Sequence, residues 1–188
     1  MQIYNNKDDF KYEEVSVSVV EATKIISRYI WPVAFLAHLL FFALHWSTFF
    51  SGITIQGIFL VLLIMLLGIL VHELIHAFIF GLFAKGGFKN ISFGIDTKTY
   101  SPYCHCKGEI TVAAYRAGAI APLFIMGAFP FIFSFFNGSL GWFYFGLLYL
   151  LAAGGDVISV YLTKGLNMRD IIKDHDAKLG YYIIKRVS

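Results

Sequence analysis

Residues 53–84 read ITIQGIFLVLLIMLLGILVHELIHAFIFGLFA, an apolar stretch that contains no lysine, arginine or aspartate. At about 1.5 Å per residue, a helix of this length exceeds the roughly 30 Å thickness of the hydrocarbon core of a bilayer. We therefore predict a transmembrane helix that tilts or continues past the membrane surface. The same stretch carries three ionisable side chains close together, His72, Glu73 and His76.

The spacing of these side chains is typical of a catalytic metal site. His72 and His76 are four positions apart, so both rings project from one face of a helix and reach a single metal ion. Glu73 then lies beside the metal, where it takes a proton from a zinc-bound water whose pKa falls to about 7. The alternative is a chance spacing on a packed helix. Because each ionisable group in a spanning helix costs about 2.5–3.5 kcal/mol, we favour a functional role.

The composition of the whole chain is that of a membrane protein. Of its 188 residues, 58% are hydrophobic and 14% are charged, whereas about 25% are charged in ordinary soluble domains. Residues 30–50, 117–136 and 140–163 are also apolar and long enough to span a bilayer. The first 29 residues have no apolar core, so we expect no cleaved signal peptide. The predicted fold is an all-α membrane protein with four transmembrane helices in one domain, residues 1–188.

The basic residues predict the orientation of the chain. All 15 lysines and arginines lie before residue 30, between residues 85 and 116, or after residue 163. Such residues gather on the cytoplasmic side of membrane proteins. We therefore predict an integral protein of a bacterial cytoplasmic membrane, with both termini and the central loop cytoplasmic. Anionic lipid headgroups account for the net charge of +3, which gives no reason to expect a nucleic-acid partner.

A catalytic zinc needs a third protein ligand and an open position for water. Asp156 is the acidic residue of the fourth apolar segment, and a Gly-Gly pair that lets another helix approach precedes it. Asp156 and His76 lie seven and eight residues before the ends of their segments, so we expect them at similar depth. The alternative is a carboxylate that reaches the membrane surface. The predicted ligands of Zn²⁺ are His72, His76 and Asp156, with Glu73 as the catalytic base.

These features resemble a known family. The His-Glu-Leu-Ile-His of the second helix, the hydrophilic loop and the later Gly-Gly-Asp are similar to membrane-embedded site-2 protease-type metallopeptidases. More narrowly, the chain resembles the zincin peptidase domain family of small membrane proteins, from about the second helix to Asp156. The resemblance implies the same ligands and the same base. In site-2 proteases the aspartate precedes a glycine, whereas here Val157 follows it.

The motif and the resemblance predict a zinc metalloendopeptidase of membrane-associated substrates, acting near the cytoplasmic side. Its partners are expected to be a membrane protein or peptide substrate and the lipid bilayer. The alternative is a non-proteolytic, zinc-dependent assembly or chaperone-like protein, in which His38, His45 or His105 closes the metal site as a fourth ligand. A transporter is a weaker alternative, because four helices without an internal repeat offer little for alternating access.

The polar segments carry further expectations. Apolar residues alternate at positions 91, 93 and 95 and predict a cytoplasmic β-hairpin against the membrane. Pro102 marks an edge strand, which either receives an extended substrate or merely covers the helices. Residues 104–106, Cys-His-Cys, are not expected to form a second metal site or a disulfide. Arg116 either stabilises an oxyanion or, as the favoured alternative, extends to lipid phosphates.

The two ends of the chain are predicted to differ in structure. Valines alternate with polar residues at positions 14–19, which indicates a strand that joins the hairpin or lies at the membrane surface. Residues 21–28 are helix-like. The tail, residues 164–188, is predicted to be a short cytoplasmic helix that rests on the membrane.

Overall fold

The computed structural model describes residues 3–5, 10–50, 53–96, 102–175 and 178–186. This part of the chain contains four helices that are long and apolar enough to cross a membrane: Ile26–Ser47, Ile55–Phe83, Val112–Asn137 and Leu140–Gly165. Most of their large apolar side chains are exposed. Such a surface is unfavourable in water and favourable in lipid. The structure therefore fits an integral membrane protein and confirms the predicted number of long apolar helices.

The third and fourth spanning segments are divided by local irregularities. The helices of all four segments are α1 (Val19–Phe49), α2 (Ile55–Phe83), α3 (Val112–Pro122), α4 (Phe129–Asn137), α5 (Leu140–Ala152) and α6 (Gly154–Leu162). A π-helical segment, Leu123–Ala128, joins α3 to α4. Ala153 leaves the helical conformation with ψ of 7° and separates α5 from α6. A turn joins the third and fourth spans, and Ser139 caps α5 by accepting from the backbone N–H of Trp142.

The predicted all-α fold with a small hairpin is confirmed in part, because the structure is mostly helical but its polar segments form a five-stranded sheet besides the hairpin. These strands are β1 (Ile3–Asn5), β2 (Phe10–Val17), β3 (Ile91–Ile95), β4 (Pro102–Cys106), β5 (Glu109–Thr111), β6 (Ile171–Asp174) and β7 (Leu179–Arg186). Five of them form a sheet in the order β1-β2-β7-β6-β5, and β3 pairs with β4. The predicted hairpin is present as an antiparallel pair from Ile91↔Cys106 to Ile95↔Pro102. Residues 97–101, between its two strands, lie outside the described residues.

The prediction of a helical tail is wrong. Strand β7 pairs with β2 along its whole length, from Phe10↔Arg186 to Val17↔Leu179. Tyr181 and Ile183 are buried on one face of β7, as expected of a half-buried strand. The N-terminal strand was correctly predicted, but it joins the tail and not the hairpin. Its partner lies more than 160 residues away in the chain, where local sequence patterns carry no information about pairing.

The chain forms two compact units. One contains residues 1–22, 73–121 and 155–188, and its buried core includes Ile110, Ile172 and Tyr181. The other contains residues 23–72 and 122–154, and its core includes Phe41 and Phe143. Each core therefore collects residues from segments that are distant in sequence.

A half-buried carboxylate joins the two ends of the chain in the five-stranded sheet. Glu14 of β2 accepts hydrogen bonds from the Lys178 ammonium at 2.7 Å, the Ser16 hydroxyl at 2.6 Å and Nε2 of His175 at 3.1 Å. The backbone N–H of Lys178 donates to Nδ1 of His175, so Nδ1 is unprotonated. The ring proton is therefore on Nε2, which donates a hydrogen bond to Glu14. Chiefly through the hydrogen bond from Lys178, these contacts lower the pKa of Glu14 from 4.5 to about 2.

We predict that this carboxylate makes the stability of the sheet depend on acid pH. Because the folded pKa is depressed, Glu14 contributes stability above its ordinary pKa, and that stability is lost as pH falls from about 5 to about 2. The melting temperature in detergent should fall over this window, and Glu14→Gln should lower it at pH 7 and flatten the fall. The exposed Glu21→Gln is the matched control. Equal pH profiles for Glu14→Gln and the parent would contradict the prediction.

Candidate metal centre

The two motif histidines lie on the buried face of α2. His72 and His76 are 7% and 5% exposed, whereas Leu74 and Phe78 on the opposite face are 57% and 59% exposed. The four-residue spacing in a regular helix produces this arrangement. Glu73 is half-buried beside them. The helix therefore presents both imidazoles toward the protein and its apolar side chains outward.

Asp156 reaches the histidines from α6. Because α5 stops at Ala152 and α6 begins at Gly154, the aspartate lies in the first turn of a new helix, where a carboxylate is favourable. A side chain at Gly154 would come within 2.9 Å of Ile26 on α1. The predicted close approach of another helix is thus confirmed at Gly154. At Gly155 the nearest neighbour is Leu179 of β7, at an ordinary contact distance.

The structure brings the three predicted ligands together. One potential ligand atom from each of His72, His76 and Asp156 lies within 4.8 Å of the others. Nε2 of His76 is 3.4 Å from Oδ1 of Asp156, and two ligands of a tetrahedral zinc ion with bonds of about 2.1 Å lie about 3.4 Å apart. Two imidazoles and a carboxylate are a donor set of catalytic zinc sites. These residues therefore fit a zinc ion.

The backbone of α3 orients His76. Nδ1 of His76 lies 2.8 Å from the carbonyl oxygen of Gly118, and a carbonyl only accepts, so Nδ1 carries the proton. Nε2 then keeps its lone pair and faces Asp156, which is the tautomer that binds a metal. The ring of His76 also stacks on Phe80, which packs against Gly118. Sequence reasoning missed Gly118, because no local pattern shows which carbonyl a histidine 42 residues away will reach.

We predict that Gly118→Ala weakens metal binding. The new methyl group would run into the ring of Phe80 and displace the stack that holds His76. Loss of the groups that orient a metal ligand typically costs 10–100-fold in affinity, so we expect at least a tenfold increase in the zinc dissociation constant, measured by chelator competition. Gly165→Ala is the matched control, because a side chain there meets nothing within 4 Å. Equal affinities of the two variants would contradict the role of Gly118.

In the described structure, the three histidines considered as a fourth ligand make hydrogen bonds to groups outside the metal group. Nδ1 of His38 lies 2.8 Å from the Ala34 carbonyl, and Nε2 of His45 lies 3.1 Å from the Phe135 carbonyl. Nδ1 of His105 lies 3.0 Å from Asp174. Among the described residues, the metal group therefore consists of three members. Three is the number of protein ligands that leaves a coordination position for water.

The Cys-His-Cys segment anchors the hairpin to the sheet. Oδ2 of Asp174 on β6 accepts from Nδ1 of His105 at 3.0 Å and from the backbone N–H of Cys106 at 3.2 Å. Cys104 and Cys106 are free thiols. Burial raises the pKa of Cys104 to about 12, with a smaller contribution from the charge of Glu73, and burial raises that of Cys106 to about 11. The negative charge of Glu73 therefore contributes to the raised pKa of a thiol on β4.

We predict that both thiols react slowly with alkylating reagents. The thiolate is the reactive form, and raised pKa values keep Cys104 and Cys106 protonated at pH 8. Iodoacetamide labelling followed by mass spectrometry should be slow in the folded protein and fast after denaturation. Cys104→Ser and Cys106→Ser serve to assign each rate. Rapid labelling of the folded protein at pH 8 would contradict the burial and the raised pKa values of the two thiols.

Arg116 contacts the end of the fourth span. Its Nε donates to the Thr163 hydroxyl at 2.7 Å, and Nη2 donates to the Thr163 carbonyl at 2.6 Å. Carbonyls at a helix C-terminus lack intrahelical donors, and a cation there is favourable. Arg116 thus holds α3 to the end of the fourth span, and the two roles predicted for it stay predictions.

The structure combines four helices that are long and apolar enough to cross a membrane with a His, His, Asp group that could hold a metal ion. Residues 65–164, which are 100 of the 188 residues, match the model of the family described as "Putative zincin peptidase". The chain belongs to this family, as its motifs predicted, and the description indicates a zinc-dependent metallopeptidase. No curated protein and no solved structure matches the chain.

Proposed function

We propose that the protein is a membrane-embedded zinc endopeptidase that hydrolyses peptide bonds of membrane-associated substrates. The observation that carries this proposal is the buried group of His72, His76 and Asp156, with Glu73 one position from a ligand. Membership of the zincin peptidase family supports it. Three protein ligands leave a position for water, as hydrolysis requires.

The roles of the residues follow from their chemistry. His72, His76 and Asp156 would hold the zinc ion, which when bound lowers the pKa of water and polarises the scissile carbonyl. Glu73 accepts the proton that water loses as its oxygen attacks the carbonyl carbon. The same carboxyl then donates that proton to the amide nitrogen as the C–N bond breaks, so the products are a carboxylate and a free amine.

The substrate is proposed to be extended where it is cut. A helical segment in lipid satisfies its own backbone groups and must unwind locally before a peptide bond is accessible. Strand β4 offers a partner for such a segment. The backbone N–H of Lys107 donates to the Asn90 carbonyl, so by alternation the backbone groups of Cys104 point away from β3. This edge of β4 is close enough to Glu73 for the charge of Glu73 to raise the pKa of the Cys104 thiol.

The location of the reaction is proposed from charge. All lysines and arginines lie in the terminal segments or in the part of the chain between the second and third spans. Both termini, the sheet and the hairpin are therefore proposed to face the cytoplasm, with the metal group near that side of the membrane. Anionic headgroups at that surface would attract the same residues.

We predict that Glu73→Gln abolishes cleavage but retains zinc. The amide cannot accept the proton from water, and loss of a general base typically costs 10²–10⁴-fold in rate. Zinc content of the purified protein is measured by mass spectrometry, and substrates are sought by comparing membrane proteomes of cells with the parent or the variant. Glu109→Gln is the control, because Glu109 pairs with exposed Lys85 away from the metal group.

The outcomes separate the proposal from its alternative. Cleavage that persists in Glu73→Gln would exclude Glu73 as the base. A parent protein that binds zinc but gives the same proteome and the same cleavage pattern as Glu73→Gln would favour the non-proteolytic, zinc-dependent assembly protein.

A further inference from the structure

Tyr149 is a polar side chain in the middle of the apolar helix α5. It is 1% exposed, and an unsatisfied hydroxyl in an apolar region is costly. Its hydroxyl donates to the backbone carbonyl of Met65 on α2, at 2.6 Å. A phenylalanine at this position would fill nearly the same volume without needing a partner. The hydroxyl therefore fixes the ring at a defined place along α2.

The contact lies on the face of α2 that carries His72. Met65, Gly68 and His72 are spaced by three and four residues, so they form one stripe along the helix. A side chain at Gly68 would overlap the hydroxyl and the ring of Tyr149. Glycine at this position lets the tyrosine reach the Met65 carbonyl, about two helical turns before the metal ligand.

The ring of Tyr149 covers His72. The two ring centroids are 6.0 Å apart and the planes are inclined by 26°, which is within the range of favourable offset stacking. Phe145 packs on Tyr149 with centroids 4.8 Å apart. Tyr149 is therefore held on two sides, by the ring of Phe145 and by the Met65 carbonyl, next to the His72 imidazole.

We propose that Tyr149 is a positioning residue that holds the His72 imidazole in the orientation for metal binding. The proposal rests on the proposed zinc site, and it assigns a role to a residue outside the metal group. Its chemical basis is that groups around a metal ligand fix the ligand's ring orientation before the metal arrives. Stacking and the hydroxyl contact would reduce the conformational entropy that His72 loses on binding.

The test measures the affinity of the full-length protein in detergent for Co²⁺ alone, by competition with a chromophoric chelator. Tyr149→Leu removes the ring and the hydroxyl, and we expect its dissociation constant to rise at least tenfold. Tyr149→Phe keeps the ring and should show a smaller rise. Gly68→Ala displaces the tyrosine and should resemble Tyr149→Leu. The control is Tyr144→Leu on the same helix, which should bind Co²⁺ like the parent.

A double-mutant cycle separates positioning from general stability. In a His72→Ala background, Tyr149→Leu should no longer change the remaining Co²⁺ affinity, because the residue it orients is gone. The visible absorption of bound Co²⁺ should differ between Tyr149→Leu and the parent. Melting temperatures of the metal-free proteins report folding, and Tyr149→Phe keeps the test valid if Tyr149→Leu does not fold.

Two results would overturn the positioning role. One is parental Co²⁺ affinity in every folded variant of Tyr149 and Gly68. The other is an equal loss of affinity with and without His72. Both leave the zinc site itself intact. A parent protein that binds neither Co²⁺ nor Zn²⁺ would overturn the metal site and this role together, so the two failures are distinguishable.

Discussion

A polar group inside an apolar helix must find its partner within the protein, because lipid offers none, and the rest of the structure depends on this constraint. His76 reaches the carbonyl of Gly118, and Tyr149 reaches the carbonyl of Met65. Each pair joins helices that are far apart in sequence. The hydrogen bonds that satisfy buried polar groups therefore also fix which helix faces meet, and they do so beside the metal ligands.

Outside the apolar helices, the five-stranded sheet also determines the position of a helix. The two ends of the chain pair through β2 and β7, and β6 continues this sheet to β5. Strand β5 ends at Thr111 and α3 begins at Val112. The helix that supplies the Gly118 carbonyl therefore starts directly from the sheet. Segments that carry no candidate catalytic residue thus determine where α3 begins.

The break before Asp156 gives the fourth span its functional geometry. An uninterrupted helix would place the aspartate in mid-helix, whereas the change at Ala153 places it in the first turn of α6. A carboxylate there is stabilised by the partial positive charge of the helix N-terminus.

Local sequence patterns were enough to predict the four apolar spans, the hairpin and the residues of the candidate metal group. Composition, periodicity and the His-Glu-x-x-His spacing are local, and a helix converts local spacing into a shared face. Long-range packing makes the tail strand β7, brings the Gly118 carbonyl to His76 and stacks Tyr149 on His72. These contacts join residues 42 to more than 160 positions apart, or residues on separate helices, and such pairings follow from packing, which no short window of sequence records.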